Sequence, residues 1–163
     1  MPAPRKSVKK RPAPRLSDVP KERLISVGGP VDRVDVSLRF FGDELDPQEI
    51  STLLGCSPTS ARRKGEEIPD KRYFKVASTG SWVHALRQGA GSTLENQIRR
   101  LLAAATKDID VWVKLTTKYS ADIFCGLFLN EVNRTTELSS QLSGELAARN
   151  ITLRFDIYGY SKK

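Results

Sequence analysis

Val34-Asp35-Val36-Ser37-Leu38-Arg39-Phe40-Phe41-Gly42-Asp43-Glu44-Leu45-Asp46-Pro47-Gln48-Glu49-Ile50-Ser51-Thr52-Leu53-Leu54-Gly55 holds a strand, a turn and a capped helix in direct succession. From Val34 to Phe41, the apolar Val34, Val36, Leu38 and Phe40 alternate with Asp35, Ser37 and Arg39. That period of two belongs to a strand with one buried and one wet face. Gly42-Asp43-Glu44 supplies the turn. Asp46 is then predicted to cap a helix, Pro47 suits its first position, and Glu49 is placed to complete a capping box. Ile50, Leu53 and Leu54 form the apolar stripe of this helix, and Gly55 ends it.

Toward the C-terminus, Arg62-Arg63-Lys64-Gly65-Glu66 reads as a basic turn around a glycine. Two strands are predicted at Tyr73–Ala77 and Ser81–Leu86, joined at Thr79-Gly80, with Trp82 anchoring the second. A second helix is predicted with Ser92 as cap and Glu95 three residues on, burying Leu94, Ile98, Leu101 and Leu102. A further helical piece, Asp108 to Lys118, presents Ile109, Trp112 and Leu115 on one side. Ile123, Cys125, Leu127 and Leu129 alternate with Asp122, Phe124, Gly126 and Phe128. Both sets are largely apolar, which predicts an interior strand. A helix over Ser139 to Arg149 buries Leu142 and Leu146 and stops at Asn150. The last strand, Ile151 to Tyr158, points Ile151, Leu153, Phe155 and Ile157 inward and Thr152, Arg154 and Asp156 outward.

The resulting order is β-α-β-β-α-α-β-α-β. An apolar face on each element closes most simply as an α+β domain, with a mixed, mainly antiparallel sheet of about five strands and helices packed on one face, ferredoxin-like in plan. The domain is expected over residues 31–163.

Toward the N-terminus the composition changes. Pro2-Ala3-Pro4-Arg5 recurs as Pro12-Ala13-Pro14-Arg15, and few apolar residues accompany the prolines. Residues 1–30 are therefore expected to be a disordered, basic, proline-rich tail, with Gly28-Gly29-Pro30 as linker. The net charge is +8, from 27 Lys and Arg against 19 Asp and Glu. Residues 1–33 carry nine of the bases and three of the acids, leaving 18 against 16 for the rest. The basic character thus resides in the tail and does not make the domain a nucleic-acid binder.

Hydrophobic residues make up 39% of the chain, and no apolar run reaches the roughly 18 residues that a membrane helix needs. No charged-then-apolar leader opens the sequence, so a cytoplasmic protein without membrane association is expected. Cys56 and Cys125 lack metal-like spacing and read as small, semi-buried apolar residues; a reactive thiol or a disulfide are the alternatives.

At this point the motifs resemble a known family. Phe41-Gly42-Asp43-Glu44-Leu45-Asp46-Pro47-Gln48-Glu49-Ile50, Leu54-Gly55-Cys56-Ser57-Pro58-Thr59 and Arg63-Lys64-Gly65-Glu66 look like a bacterial domain-of-unknown-function family, numbered 4279. The likeness continues through the Trp82 strand, the leucine-rich helix, Cys125-Gly126-Leu127, Leu138-Ser139 and Asp156-Ile157-Tyr158. It departs from the family pattern near Ala61–Arg62, where an aromatic is expected, and in the tail. The resemblance implies a compact bacterial cytoplasmic domain and brings no activity, cofactor or catalytic residue.

Few constellations carry chemistry. His84 is the single histidine, so neither a zinc site nor a histidine-based triad is supported by spacing. Asp43, Glu44 and Asp46 suit a helix start better than a cation site. Gly89-Ala90-Gly91-Ser92-Thr93 precedes a helix but fits neither a Walker loop nor a dinucleotide fingerprint. The remaining candidates are anion or nucleic-acid contacts: Arg62, Arg63 and Lys64 with Lys71 and Arg72, and Arg5, Lys6, Lys9, Lys10, Arg11 and Arg15 in the tail. The tail lacks aromatics for base stacking. The sequence therefore predicts no cofactor, metal or catalytic set. It favours a non-enzymatic binding module whose partner is another protein. The alternatives are a nucleic-acid-associated protein tethered by its tail, and an enzyme whose site would draw on Asp43, Glu44, Arg63 and His84.

Overall fold

The computed structural model describes residues 28–69, 75–86, 92–131 and 133–159. In chain order the elements are β1 (Gly29–Pro30), β2 (Arg33–Gly42), α1 (Pro47–Leu54), β3 (Ser60–Arg62), β4 (Glu67–Ile68), β5 (Lys75–Val76), β6 (Gly80–Ala85), α2 (Leu94–Ala104), α3 (Ile109–Lys118), β7 (Ser120–Phe128), β8 (Arg134–Thr135), α4 (Ser140–Ala148) and β9 (Thr152–Tyr158). Five strands form the main sheet in the order β3-β6-β2-β7-β9. All its pairings are antiparallel except β7 with β9, which run parallel. A parallel pair needs a crossover, and α4 provides it.

The alternation read in β2 sets the core. Val34, Val36, Leu38 and Phe40 are buried beside Ile123, Cys125 and Leu127 of β7 and Trp82 of β6. The same cluster takes in Ile50 and Leu54 of α1, Leu94, Ile98 and Leu101 of α2, Trp112 and Leu115 of α3, and Leu142 and Leu146 of α4. The helices thus cover one face of the sheet. Phe40 meets Trp82 edge-on at 5.8 Å between ring centroids and Trp112 at 6.4 Å, near the centre of this core.

The α1 signals act as read at both ends. Asp46 accepts a hydrogen bond from the Gln48 N–H at 3.0 Å, and Gly55 takes φ +72°, a left-handed conformation that a side chain resists. The capping box does not close. Glu49 Oε2 instead accepts from Lys118 Nζ at 2.7 Å and Tyr119 Oη at 2.9 Å, because a cation and a phenol on the neighbouring helix outcompete one backbone N–H.

Several expectations are corrected. The fifth strand of the sheet is β3 rather than the segment at Tyr73–Ala77; Lys75–Val76 pairs with Glu67–Ile68 in a separate two-stranded hairpin. Gly29 and Pro30, read as linker, pair in parallel with Arg134 and Thr135. Thr93 rather than Ser92 caps α2, accepting from the Asn96 N–H. Ile109 sits at the open first turn of α3 and is exposed. In β9, Phe155 and Ile157 are 46% and 62% exposed rather than inward, because that strand ends the sheet and the helix layer stops short of it.

Candidate functional site

The sheet has a second face, which no helix covers among the described residues. On β2 it carries Arg33, Asp35, Ser37, Arg39 and Phe41, the positions between the core residues. Register places Asp122, Phe124, Gly126 and Phe128 of β7 opposite them, and Arg154, Asp156 and Tyr158 of β9 beyond. Alternation in the sequence thus built two surfaces at once, one for the helices and one for solvent.

Two arginine–aromatic assemblies occupy this face. In the first, the Arg33 guanidinium lies 3.6 Å from the Phe128 ring centroid, and Tyr158 stacks on Phe128 at 4.6 Å with planes 8° apart. Tyr158 Oη donates to Asp156 Oδ2 at 2.6 Å, and that carboxylate holds the phenol above its usual pKa. Arg33 also approaches Asp35 at 3.6 Å. In the second, Arg39 sits 4.5 Å from the Phe124 ring and 5.5 Å from Phe41. Its guanidinium grips Asp122 with two hydrogen bonds, 2.7 and 2.9 Å, and Arg154 Nε donates to the same carboxylate at 2.9 Å. Burial works against the Asp122 charge, but the two arginines prevail and hold its pKa below the ordinary carboxylate value.

Gly126 lies between the assemblies. Phe128 and Phe124 flank it, and a Cβ there would meet them at 3.4 and 3.6 Å, which is ordinary contact distance. The result is a patch of aromatics and arginines, half-buried at Arg39, Phe41, Phe124 and Phe128 and exposed at Arg33 and Tyr158, with its charges matched by its own acids.

The residues singled out from sequence lie elsewhere. Arg63 bonds Asp46 at 2.5 Å, and Lys64 bonds Asp43, so the basic turn is tied to the acidic start of α1. Arg62 ends β3, half-buried, with Ser81 as its register partner. Arg5, Lys6, Lys9, Lys10, Arg11, Arg15, Lys71, Arg72, Gly89 and Gly91 fall outside the described residues. His84 stacks on Trp82 and sets Nδ1 2.7 Å from the Ser57 carbonyl. It sits opposite Leu38, whereas Asp43 follows the far end of β2, so these polar residues do not converge. Both cysteines are free thiols, and burial pushes Cys125 up to about 12, which keeps it protonated. No group of acids, histidine and cysteines among the described residues has metal-binding spacing, and none of their helices is long and apolar enough to cross a membrane.

One concavity of about 580 Å³ opens beside β1, floored by Val31, Val34 and Leu94. On its rim Glu95 is already engaged: it accepts from the Ser139 N–H and Oγ, at 2.8 and 2.9 Å, and from Arg99. The sheet face is the stronger candidate. Sequence reasoning passed over it because Phe124 and Phe128 were read as one more buried surface. The discriminating signal was Arg33 and Arg39 at alternate positions on the paired strand, able to cover those rings without a second layer.

No curated protein and no solved structure matches this chain. A family model described as "Domain of unknown function (DUF4279)" matches residues 32–160, so the strands, helices and sheet face above are those of a member, and the chain belongs to that family.

Proposed function

We propose that this chain is a binding module, without catalytic activity of its own, that recognises another protein through the helix-free face of its sheet. The observation that carries the reading is the pair of arginine–aromatic assemblies, Arg33–Phe128–Tyr158 and Arg39–Phe124–Phe41, set flat on rigid strands. Aromatic residues and arginine are the side chains enriched at the centres of protein interfaces. They are pre-positioned by each other, so little side-chain freedom remains to be lost on binding. Asp35, Asp122 and Asp156 offset the arginines, which suits a partner of mixed charge over a polyanion. The matching partner surface is flat and apolar at its centre, with both signs of charge at its rim.

The test is site-specific photo-crosslinking in the source cell, with the probe at Phe124 and, as control, at the exposed Lys114 of α3. The expected result is a discrete protein adduct from position 124 that position 114 does not give, lost on Arg39→Glu. Equal, diffuse adducts from both positions, or nucleic-acid adducts alone, would overturn the reading. The nucleic-acid alternative draws its support from the bases of residues 1–33, and it predicts salt-sensitive binding that disappears when residues 1–30 are deleted.

A further inference from the structure

We infer that this protein forms a two-fold symmetric homodimer by antiparallel pairing of the outer edge of β9 with the same edge of a second copy, centred on Phe155. The outer edge of β9 is a different surface from the sheet face, although Arg154 and Asp156 border both.

β9 ends the sheet order, and β7 is its sole strand partner among the described residues. The Leu129 N–H donates to the Tyr158 carbonyl at 2.9 Å, so the backbone of Tyr158 faces β7. Backbone direction alternates along a strand, so Thr152, Arg154 and Asp156 also face β7. Leu153, Phe155 and Ile157 then aim their N–H and C=O groups outward. A long edge with open backbone groups is a template for another strand, and folds ordinarily blunt it with charges, proline or a bulge. Here the outward positions are all apolar. Phe155 and Ile157 are 46% and 62% exposed.

The sequence of this edge complements itself. Antiparallel pairing about Phe155 sets Leu153 against Ile157 of the partner subunit and Phe155 against Phe155 of the partner subunit, on the helix side. On the other side it sets Arg154 against Asp156 of the partner subunit and, by symmetry, Asp156 against Arg154 of the partner subunit. Opposite charges directly across strands stabilise a pair and like charges oppose it. A shift of the two-fold centre by one residue, to Arg154 or Asp156, opposes like charges on the axis. Phe155 as centre also makes it a hydrogen-bonded pair, which matches the outward direction of its backbone. A two-fold axis through Phe155, normal to the sheet, keeps the helices of both copies on one side and joins the two sheets into one. Isologous contacts of this type are the commonest route to dimers.

The test uses the full chain in sedimentation equilibrium across a concentration series. Wild type is expected to run as a dimer that dissociates on dilution. Arg154→Asp and Asp156→Arg each set like charges across both symmetry-related contacts, and each is expected to weaken self-association on the order of a hundredfold. An equimolar mixture of the two variants places acid opposite base at every contact and is expected to recover the dimer. Circular dichroism of each variant establishes that it is folded; if Arg154→Asp does not fold, for want of its bond to Asp122, Ile157→Lys takes its place as the variant expected to be monomeric. A wild-type monomer at all concentrations would overturn the inference. So would variants that remain dimeric, or folded variants whose mixture stays monomeric.

Discussion

The two edges of the sheet are built in opposite ways. β3, at one end, is three residues long and its pairing is reinforced by side chains. Thr59 donates from both its N–H and its hydroxyl to the Val83 carbonyl, at 2.7 and 3.0 Å, and its hydroxyl accepts from the Ala85 N–H at 3.1 Å. The chain then leaves through Arg62, Arg63 and Lys64, with the last two tied to Asp46 and Asp43. β9, at the other end, runs for seven residues, is tied inward through Arg154 to Asp122, and leaves Phe155, Ile157 and Tyr158 exposed. Both edges belong to one sheet over one core. Both edges are held on their inner side by polar contacts, and the contrast lies in length and exposure: three residues of β3 offer a second strand little ladder, whereas β9 offers a long one with apolar side chains beside it.

The largest effect is expected where the short edge meets the core. Trp82 is fully buried on β6, and its Nε1 donates to Ser51 Oγ at 3.0 Å. Trp82→Ala is expected to cost about 3–5 kcal/mol, read as a lower denaturant midpoint. Next comes the junction that holds β9 to the sheet. Asp122→Ala leaves Arg39 without its bidentate partner and releases Arg154. Arg154 is 63% exposed at its side chain, so water offsets part of the loss, and about 2 kcal/mol is expected in the same measurement. If Asp122→Ala were neutral, the Arg39–Asp122–Arg154 network would add nothing to the hold on β9.

Smaller effects separate the two edges. Thr59→Val keeps the shape of the side chain and removes its bridging hydroxyl, for an expected loss of about 1 kcal/mol and faster amide exchange at Ala85. Ile157→Lys, on the open edge, is expected to change monomer stability by less than about 0.5 kcal/mol while abolishing self-association, since Ile157 touches little within one copy. Acid sharpens the same contrast. Hydrogen bonds from Lys64 and then Thr79 hold the Asp43 carboxyl below its ordinary value of 3.8. A depressed carboxylate contributes stability that is whole above about pH 4 and is lost as pH falls through its folded value. Amides of Ser60–Arg62 are therefore expected to lose protection below about pH 4, beyond the intrinsic change in exchange chemistry, and Asp43→Asn is expected to reduce that pH dependence, with Asp122, Glu49 and Glu95 carrying the remainder.

Much of the fold was legible because its signals are local. The alternation of Val34 to Phe40, the Asp46-Pro47 start and Gly55 stop of α1, and the Ser139 cap of α4 act within a few residues of themselves. What was not legible depends on tertiary neighbours. Glu49 gave up its capping role to Lys118 and Tyr119, which are distant in sequence. β3 is too short to show a period of two, and it exists because β6 gives it a partner strand and Thr59, just ahead of it, is bonded to Val83 and Ala85 of that strand. Phe155 and Ile157 obey the alternation of a buried strand, yet exposure depends on where the helix layer ends. The Arg33–Phe128 and Arg39–Phe124 contacts need the register of β2 on β7, which no single segment encodes. The basic turn had the reverse fate: Arg63 and Lys64 looked available in sequence and are engaged in space with acids that fold back from α1.

Amide hydrogen exchange, read residue by residue by NMR along β9 at two protein concentrations, tests the open edge most directly. At low concentration the amides of Arg154, Asp156 and Tyr158, which face β7, are expected to be protected, while those of Leu153, Phe155 and Ile157 exchange freely. At high concentration the second set is expected to become protected and the first to stay as it was. Protection of Leu153, Phe155 and Ile157 that ignores concentration, or exchange that never slows at those positions, would contradict pairing of β9 with a second copy.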